Sequence, residues 1–191
     1  MDQKSTERYS LIDRRTFLKA GVFSLAALSL PTHALAYLDK ITSPEKSISL
    51  HNIHTGESLK KAIFWAEGEY VQQTLEDVNF LLRDYRNDKI KTIDPQLLDI
   101  LYTLHQKVGG FRPFQVISGY RSPETNAFLA RTTNGVAQKS LHIQGKAIDI
   151  RLPGYDLADL RKAAMTLKSG GVGYYPKSEF IHLDTGKIRY W

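Results

Sequence analysis

The hydrophobic period of this chain switches from about two to about 3.6 and back again, which restricts it to a fold that mixes sheet and helix. Over 47–53 apolar and polar residues alternate, His54, Thr55, Gly56 and Glu57 supply turn chemistry, and 58–65 reads as the returning strand of a hairpin. Val71, Leu75, Val78, Leu81 and Leu82 then recur at helical spacing, predicting one amphipathic helix over 69–85. A second helix is signalled by Asp94 and Pro95 at its start. Its apolar stripe is Leu97, Leu98, Leu101, Leu104 and Val108, and Gly109 with Gly110 stops it. Ser122, Pro123 and Glu124 open a third helix that runs to about Arg131, and Asp156 opens a fourth over 157–167. Strands are expected at 114–117, 147–152, 171–175 and 180–183. The fold class is therefore α+β, a small and mostly antiparallel sheet backed by helices.

The first 36 residues stand apart from that pattern. Arg14, Arg15, Thr16, Phe17, Leu18 and Lys19 form a twin-arginine motif, followed by an apolar run over 20–30, then Pro31, then Ala34, Leu35 and Ala36 as a small-residue cleavage site. The run is far shorter than the roughly 20 residues a membrane span needs, so the segment reads as an export signal and not as an anchor. The organisation expected is a signal peptide at 1–36, a polar linker at 37–46 and one domain at 47–191, placed in the periplasm by the folded-protein route. With 42% apolar residues, 191 residues suffice for one core. The net charge of +6 is scattered, with no basic stripe interleaved with aromatics, which argues against a nucleic-acid partner. The absence of cysteine excludes disulfides, thiolate metal sites and a cysteine nucleophile.

Candidate chemistry gathers in the second half. In the strand expected at 147–152, Asp149 points with Ala147 and Arg151 while Ile148 and Ile150 turn to the core. A carboxylate held mid-strand calls for a partner charge or a metal, because isolated buried charge is costly. His182 and Asp184 share one face of the strand at 180–183, with Ile181 and Leu183 on the other. Two histidines, His142 and His182, with Asp149 could thus form a three-ligand zinc site with a fourth position open, in a groove on the sheet. Asp149 could equally pair with Arg151 or Arg121. Trp65 and Trp191 read as packing residues, although an aromatic beside a groove could also stack on a sugar ring.

The motifs Ser118, Gly119, Tyr120, Arg121, Ser122; Ser140, Leu141, His142 through Gly145 and Ala147 to Asp149; Gly170 to Pro176; and His182 to Gly186 resemble those of the YcbK-like murein endopeptidases. These belong to the zinc D-Ala-D-Ala peptidase group that also contains VanX and VanY. The resemblance covers essentially the whole of the mature chain. It implies one zinc ion held by His142, Asp149 and His182, substrate contacts from Arg121 and Ser140, and peptidoglycan peptide stems as partner of a monomeric enzyme. It also implies metal-assisted amide hydrolysis, with Arg121 sharing the oxyanion charge. The general base falls either on Glu179, three residues before the last histidine as in the VanX branch, or on Asp184, the fixed acid of the nearer branch. A wall-binding module without catalysis, and a zinc carboxypeptidase or dipeptidase acting on related D-amino-acid peptides, are the alternatives.

Overall fold

In a computed structural model of the protein, residues 44–110, 112–133 and 137–191 are described. The expected signal at 1–36, and the linker at 37–46 up to residue 43, lie outside them. Eight strands form one sheet: β1 (Lys46–Asn52), β2 (Ser58–Ala66), β3 (Glu69–Tyr70), β4 (Phe114–Ser118), β5 (Ala147–Arg151), β6 (Gly171–Tyr175), β7 (Phe180–Asp184) and β8 (Arg189–Tyr190). Their spatial order is β3-β2-β1-β4-β5-β7-β6-β8. The β1–β4 and β6–β8 neighbours run parallel and the others antiparallel, so the sheet is mixed and wider than the small sheet expected. The extra width comes from β3 and β8, which at two residues each are too short to carry a hydrophobic period.

Four helices are described: α1 (Gln72–Leu81), α2 (Pro95–Lys107), α3 (Pro123–Thr132) and α4 (Leu157–Leu167). Three of them start on side-chain caps. Asp94 accepts from the Gln96 backbone N–H, Ser122 from that of Thr125, and Asp156 from that of Asp159. Helices α1, α2 and α4 pack on the sheet. Between them lies a core that includes Leu50, Phe64, Leu97, Leu101, Leu104, Phe114, Ile148, Ile150, Leu160 and Ile181, all fully buried. Each such side chain contributes about 1.5–3 kcal/mol, so this fold does not depend on a metal for its stability as a zinc finger does.

The single helix expected over 69–85 is divided. Glu67 and Gly68, at φ of 52° and 79°, turn the chain so that Glu69 and Tyr70 pair with Trp65 and Ala66 as β3. The Tyr70 ring then meets the Trp65 ring edge-on at 4.9 Å, a packing gain that a helix would forfeit. At the other end α1 stops at Leu81, and the Asp84 carboxylate accepts backbone N–H groups from Arg86 and from Ser122. An aspartate that captures main-chain donors in this way competes with helix continuation. At the amino end β1 already includes Lys46, whose Nζ lies 2.6 Å from Asp99 Oδ1, one residue inside the expected linker.

Candidate metal centre and its groove

The face of β5 and β7 turned away from α2 and α4 carries the polar residues. Antiparallel pairing sets Asp149 directly opposite His182, Ile148 opposite Leu183 and Ile150 opposite Ile181. The period of two therefore drives the aliphatic side chains into the core and leaves the aspartate and the histidine as cross-strand neighbours on the other face. His142 arrives from a one-turn 3₁₀ helix, Leu141–Gln144, whose cap is Ser140: its Oγ accepts from the His142 backbone N–H at 3.3 Å.

Three atoms meet there. His142 Nε2 is 3.2 Å from Asp149 Oδ1 and 3.2 Å from His182 Nδ1, and His182 Nδ1 is 2.9 Å from Asp149 Oδ1. All three residues are buried. The far nitrogens of both rings fix the tautomers. His142 Nδ1 donates to the Gly119 carbonyl oxygen at 2.6 Å, and His182 Nε2 donates to Asp184 Oδ2 at 2.9 Å. With both imidazoles neutral, each of the three converging atoms presents a lone pair and no proton, and only a cation or an added proton can fill the space between them. A tetrahedral ion with bonds of about 2.0–2.1 Å holds its ligand atoms about 3.3 Å apart, which these separations match. His142, Asp149 and His182 are thus a set that could hold a metal ion.

Asp184 is one of the two expected bases, and its oxygens are fully engaged behind His182. Besides the histidine they accept from the backbone N–H of Gly171 at 3.1 Å and of Gly186 at 2.8 Å, and from both terminal nitrogens of Arg189 at 3.0 and 2.7 Å. The side chain is buried, and it faces the His182 nitrogen remote from the triad. A carboxylate so placed is set to orient the ring from its far side. Glu179, the other candidate, ends a 3₁₀ turn (Pro176–Ser178) at φ 53°. Its side chain is 78% exposed and its ion pair is with Arg151 at 3.3 Å. Asp184 thus meets the triad only through the far nitrogen of His182, and the ion pair of Glu179 is with Arg151. Glu179→Gln is accordingly expected to keep turnover within about threefold of wild type, well short of the roughly hundredfold or greater loss that removing a general base causes. Steady-state kinetics of the zinc-loaded variant decide this, and a hundredfold drop would return the base role to Glu179.

Arg121 enters from the loop after β4, with its side chain 11% exposed. One terminal nitrogen donates to Asp149 Oδ2 at 3.3 Å, and its Nε has no partner among the described residues. Burial pulls its pKa down, against the opposing pull of Asp149. The groove around the triad encloses about 230 Å³. Arg121, Lys139 and Ser140 line it, together with an aromatic wall of Tyr175, Phe180 and Trp191. Trp191, read from sequence as packing or as an aromatic that could stack beside a groove, lies with its ring centroid 5.3 Å from that of His182, and its Nε1 donates to the Tyr175 hydroxyl at 2.9 Å. Arg189 also lines the groove and was given no role by the sequence. The available signal was the pair of glycines in β6: a Cβ at Gly173 would fall 2.7 Å from the Trp191 ring, and one at Gly171 2.6 Å from Arg189 Nη1.

Burial holds the His142 pKa down even against the attraction of Asp149. For His182 burial also acts downward, but the carboxylates of Asp149 and Asp184 overcome it and leave the pKa raised. Asp149 is penalised by burial, yet the two histidines hold it well below the usual carboxylate range. The proton that competes with a metal is therefore on His182. Because the folded pKa of His182 lies above its ordinary value, the protonated form stabilises the metal-free protein at low pH, and that stabilisation is lost as pH rises through the raised value. Zinc affinity should run the opposite way. It is expected to weaken as pH falls through the His182 pKa, at a higher pH than an unperturbed histidine would give, and titration calorimetry in buffers of different ionisation enthalpy measures the proton released.

Two histidines and an aspartate converging beside a buried arginine, in a groove on an α+β sheet, form the constellation of a metallohydrolase. The chain belongs to the peptidase M15 family described as peptidoglycan L,D-endopeptidase MepK, which it matches over residues 40–191. The peptidoglycan L,D-endopeptidase MepK of Escherichia coli (strain K12) is 47% identical over 179 residues, covering 94% of this chain and 97% of that protein. The probable peptidoglycan L,D-endopeptidase MepK of Haemophilus influenzae is 38% identical over 180 residues, covering 94% of this chain and 95% of that one. Among solved structures, the L-Ala D-Glu endopeptidase ChiX of Serratia marcescens aligns with 40% of this chain and 62% of its own at 19% identity, with a TM-score of 0.33.

Proposed function

We propose that this protein is an exported zinc endopeptidase that hydrolyses peptide cross-links of peptidoglycan during cell-wall remodelling. His142, Asp149 and His182 are its metal ligands. The observation that carries the reading is the meeting of three lone pairs about 3 Å apart, with both histidine tautomers set by hydrogen bonds on their far sides. The names of its relatives supply the substrate class. Bound there, a zinc ion supplies Lewis acidity and lowers the pKa of a coordinated water toward about 7.

The chain's own residues do the rest. Arg121, desolvated and with donors to spare, receives the negative charge that develops on the scissile carbonyl oxygen. Asp184 keeps His182 in the tautomer that frees Nδ1. Ser140 fixes the turn that carries His142 and exposes its side of the groove to a peptide. Incubating the mature protein with isolated peptidoglycan, with and without a chelator, tests the whole reading. Release of cross-linked stem fragments should require the metal. Binding without release would instead make the protein a wall-binding module, and loss of single terminal residues would make it a carboxypeptidase.

The route of export rests on the motif Arg14, Arg15, Thr16, Phe17, Leu18, Lys19 ahead of a short apolar run. Among the described residues no helix is long and apolar enough to cross a membrane. Changing Arg14 and Arg15 to lysines is expected to leave the precursor in the cytoplasm, because the arginine pair is the part of the address a receptor reads. Cell fractionation that recovers the altered protein in the periplasm would refute the twin-arginine route.

A further inference from the structure

We infer that Arg189 and Trp191, carried by β8 and the residue after it, are positioning residues for the metal centre, holding His182 in the one orientation that presents Nδ1. The inference rests on the reading of His142, Asp149 and His182 as zinc ligands.

Asp184 orients His182, and Asp184 is itself held in a vice. Arg189 grips both of its oxygens at 3.0 and 2.7 Å, a two-point contact that fixes the plane of the carboxylate as well as its position. Held in this way, Oδ2 faces His182 Nε2 at 2.9 Å and accepts its hydrogen bond. Trp191 packs against the same imidazole. Its indole lies 5.3 Å from the His182 ring at an interplanar angle of 48°, and is pinned by the Nε1 bond to Tyr175. The Arg189 guanidinium stands 4.9 Å from the Trp191 ring, so the two residues brace each other.

The backbone delivers both side chains together. Gly171 pairs with Arg189 and Val172 with Tyr190 in parallel, the Trp191 N–H donates to the Val172 carbonyl, and the Tyr174 N–H donates to that of Trp191. The spaces that receive them are the absent side chains of Gly171 and Gly173. In β6 these glycines stand opposite Asp184 and His182, respectively. A two-residue strand adds little to the core, and Arg189 and Tyr190 are both exposed. What the strand does is latch a carboxylate and a ring onto one metal ligand.

The test is zinc affinity, measured by competition with a chromophoric chelator on the full mature chain, alongside the visible spectrum of the cobalt-substituted protein. Arg189→Gln is expected to weaken zinc binding about 10- to 100-fold, the range seen when partners behind a ligand are removed, and to shift the cobalt bands as His182 gains freedom. Trp191→Ala should weaken binding in the same direction. Arg189→Lys, which restores the charge but not the two-point grip, should recover only part of the loss. Melting of the metal-free variants separates positioning from folding: the inference expects their midpoints to stay within a few degrees of wild type. Zinc affinity unchanged in both Arg189→Gln and Trp191→Ala, or lost only in step with a collapse in melting temperature, would overturn it. A wild-type protein that binds no zinc would instead overturn the metal reading itself.

Discussion

Replacing His142 with alanine is expected to give a folded protein that no longer retains zinc and no longer releases fragments from peptidoglycan. The residue is fully buried and supplies one corner of a triangle whose other two atoms lie 3.2 Å away. Two ligands cannot close a catalytic zinc site, and the Gly119 carbonyl loses the buried Nδ1 donor that satisfied it. That orphaned acceptor costs about 1–3 kcal/mol, so the variant should melt lower than the metal-free wild type, yet the apolar core between sheet and helices should keep it folded. Metal analysis with circular dichroism reads both effects. A His142→Ala protein carrying the wild-type complement of zinc would end the assignment of the triad.

Arg121→Met should produce the second large effect, with a different signature. Methionine fills much of the same space without any donor. The metal should stay bound, since Arg121 touches Asp149 through Oδ2 and the triad uses Oδ1. Turnover should fall by about 10²–10³, the scale on which removal of one oxyanion donor acts in a water-poor site. A structural ion pair would behave otherwise: its loss would lower stability and leave kcat of the loaded enzyme nearly intact. Turnover within threefold of wild type at full zinc occupancy would strip Arg121 of its role.

Much of this was legible from the order of residues, and the reason is periodicity. Asp149 between Ile148 and Ile150, and His182 between Ile181 and Leu183, could be assigned to the polar faces of two strands before any pairing was known. The capped starts at Asp94, Ser122 and Asp156 were legible because a short polar side chain ahead of an apolar stripe has a local job, and each was found doing it. Features made by non-local pairing were not. The stretch 69–85 kept helical spacing throughout, but the turn at Glu67 and Gly68 spent Glu69 and Tyr70 on the sheet edge, and Asp84 was drawn to Ser122, distant in sequence.

The two acids offered as bases could not be told apart by spacing either. What separates them is the left-handed backbone at Glu179, which turns its side chain to solvent, and the enclosure of Asp184 by Arg189 and two backbone N–H groups. Arg189 was given no role, and Trp191 was read as packing with sugar stacking left open, for a related reason. The glycines at 171 and 173 are a signal that room is left, but nothing near Arg189 and Trp191 in sequence says that β8 lies beside β6 to fill it.

The pairing of Asp149 with His182 across β5 and β7 makes the centre a checkpoint on assembly. If β7 slid by a single residue, every side chain on it would change faces: His182 would be driven among the aliphatics, and Ile181 or Leu183 would stand where His182 now meets Asp149 and His142. A chain that has collapsed with its hydrophobic residues roughly sorted but its strands misaligned would therefore be blind to zinc. Tight retention of one ion per chain then certifies alignment of the sheet's centre to within one residue, which neither secondary-structure content nor compactness can do. For a protein read as crossing a membrane already folded, the same ion would distinguish finished molecules from near misses.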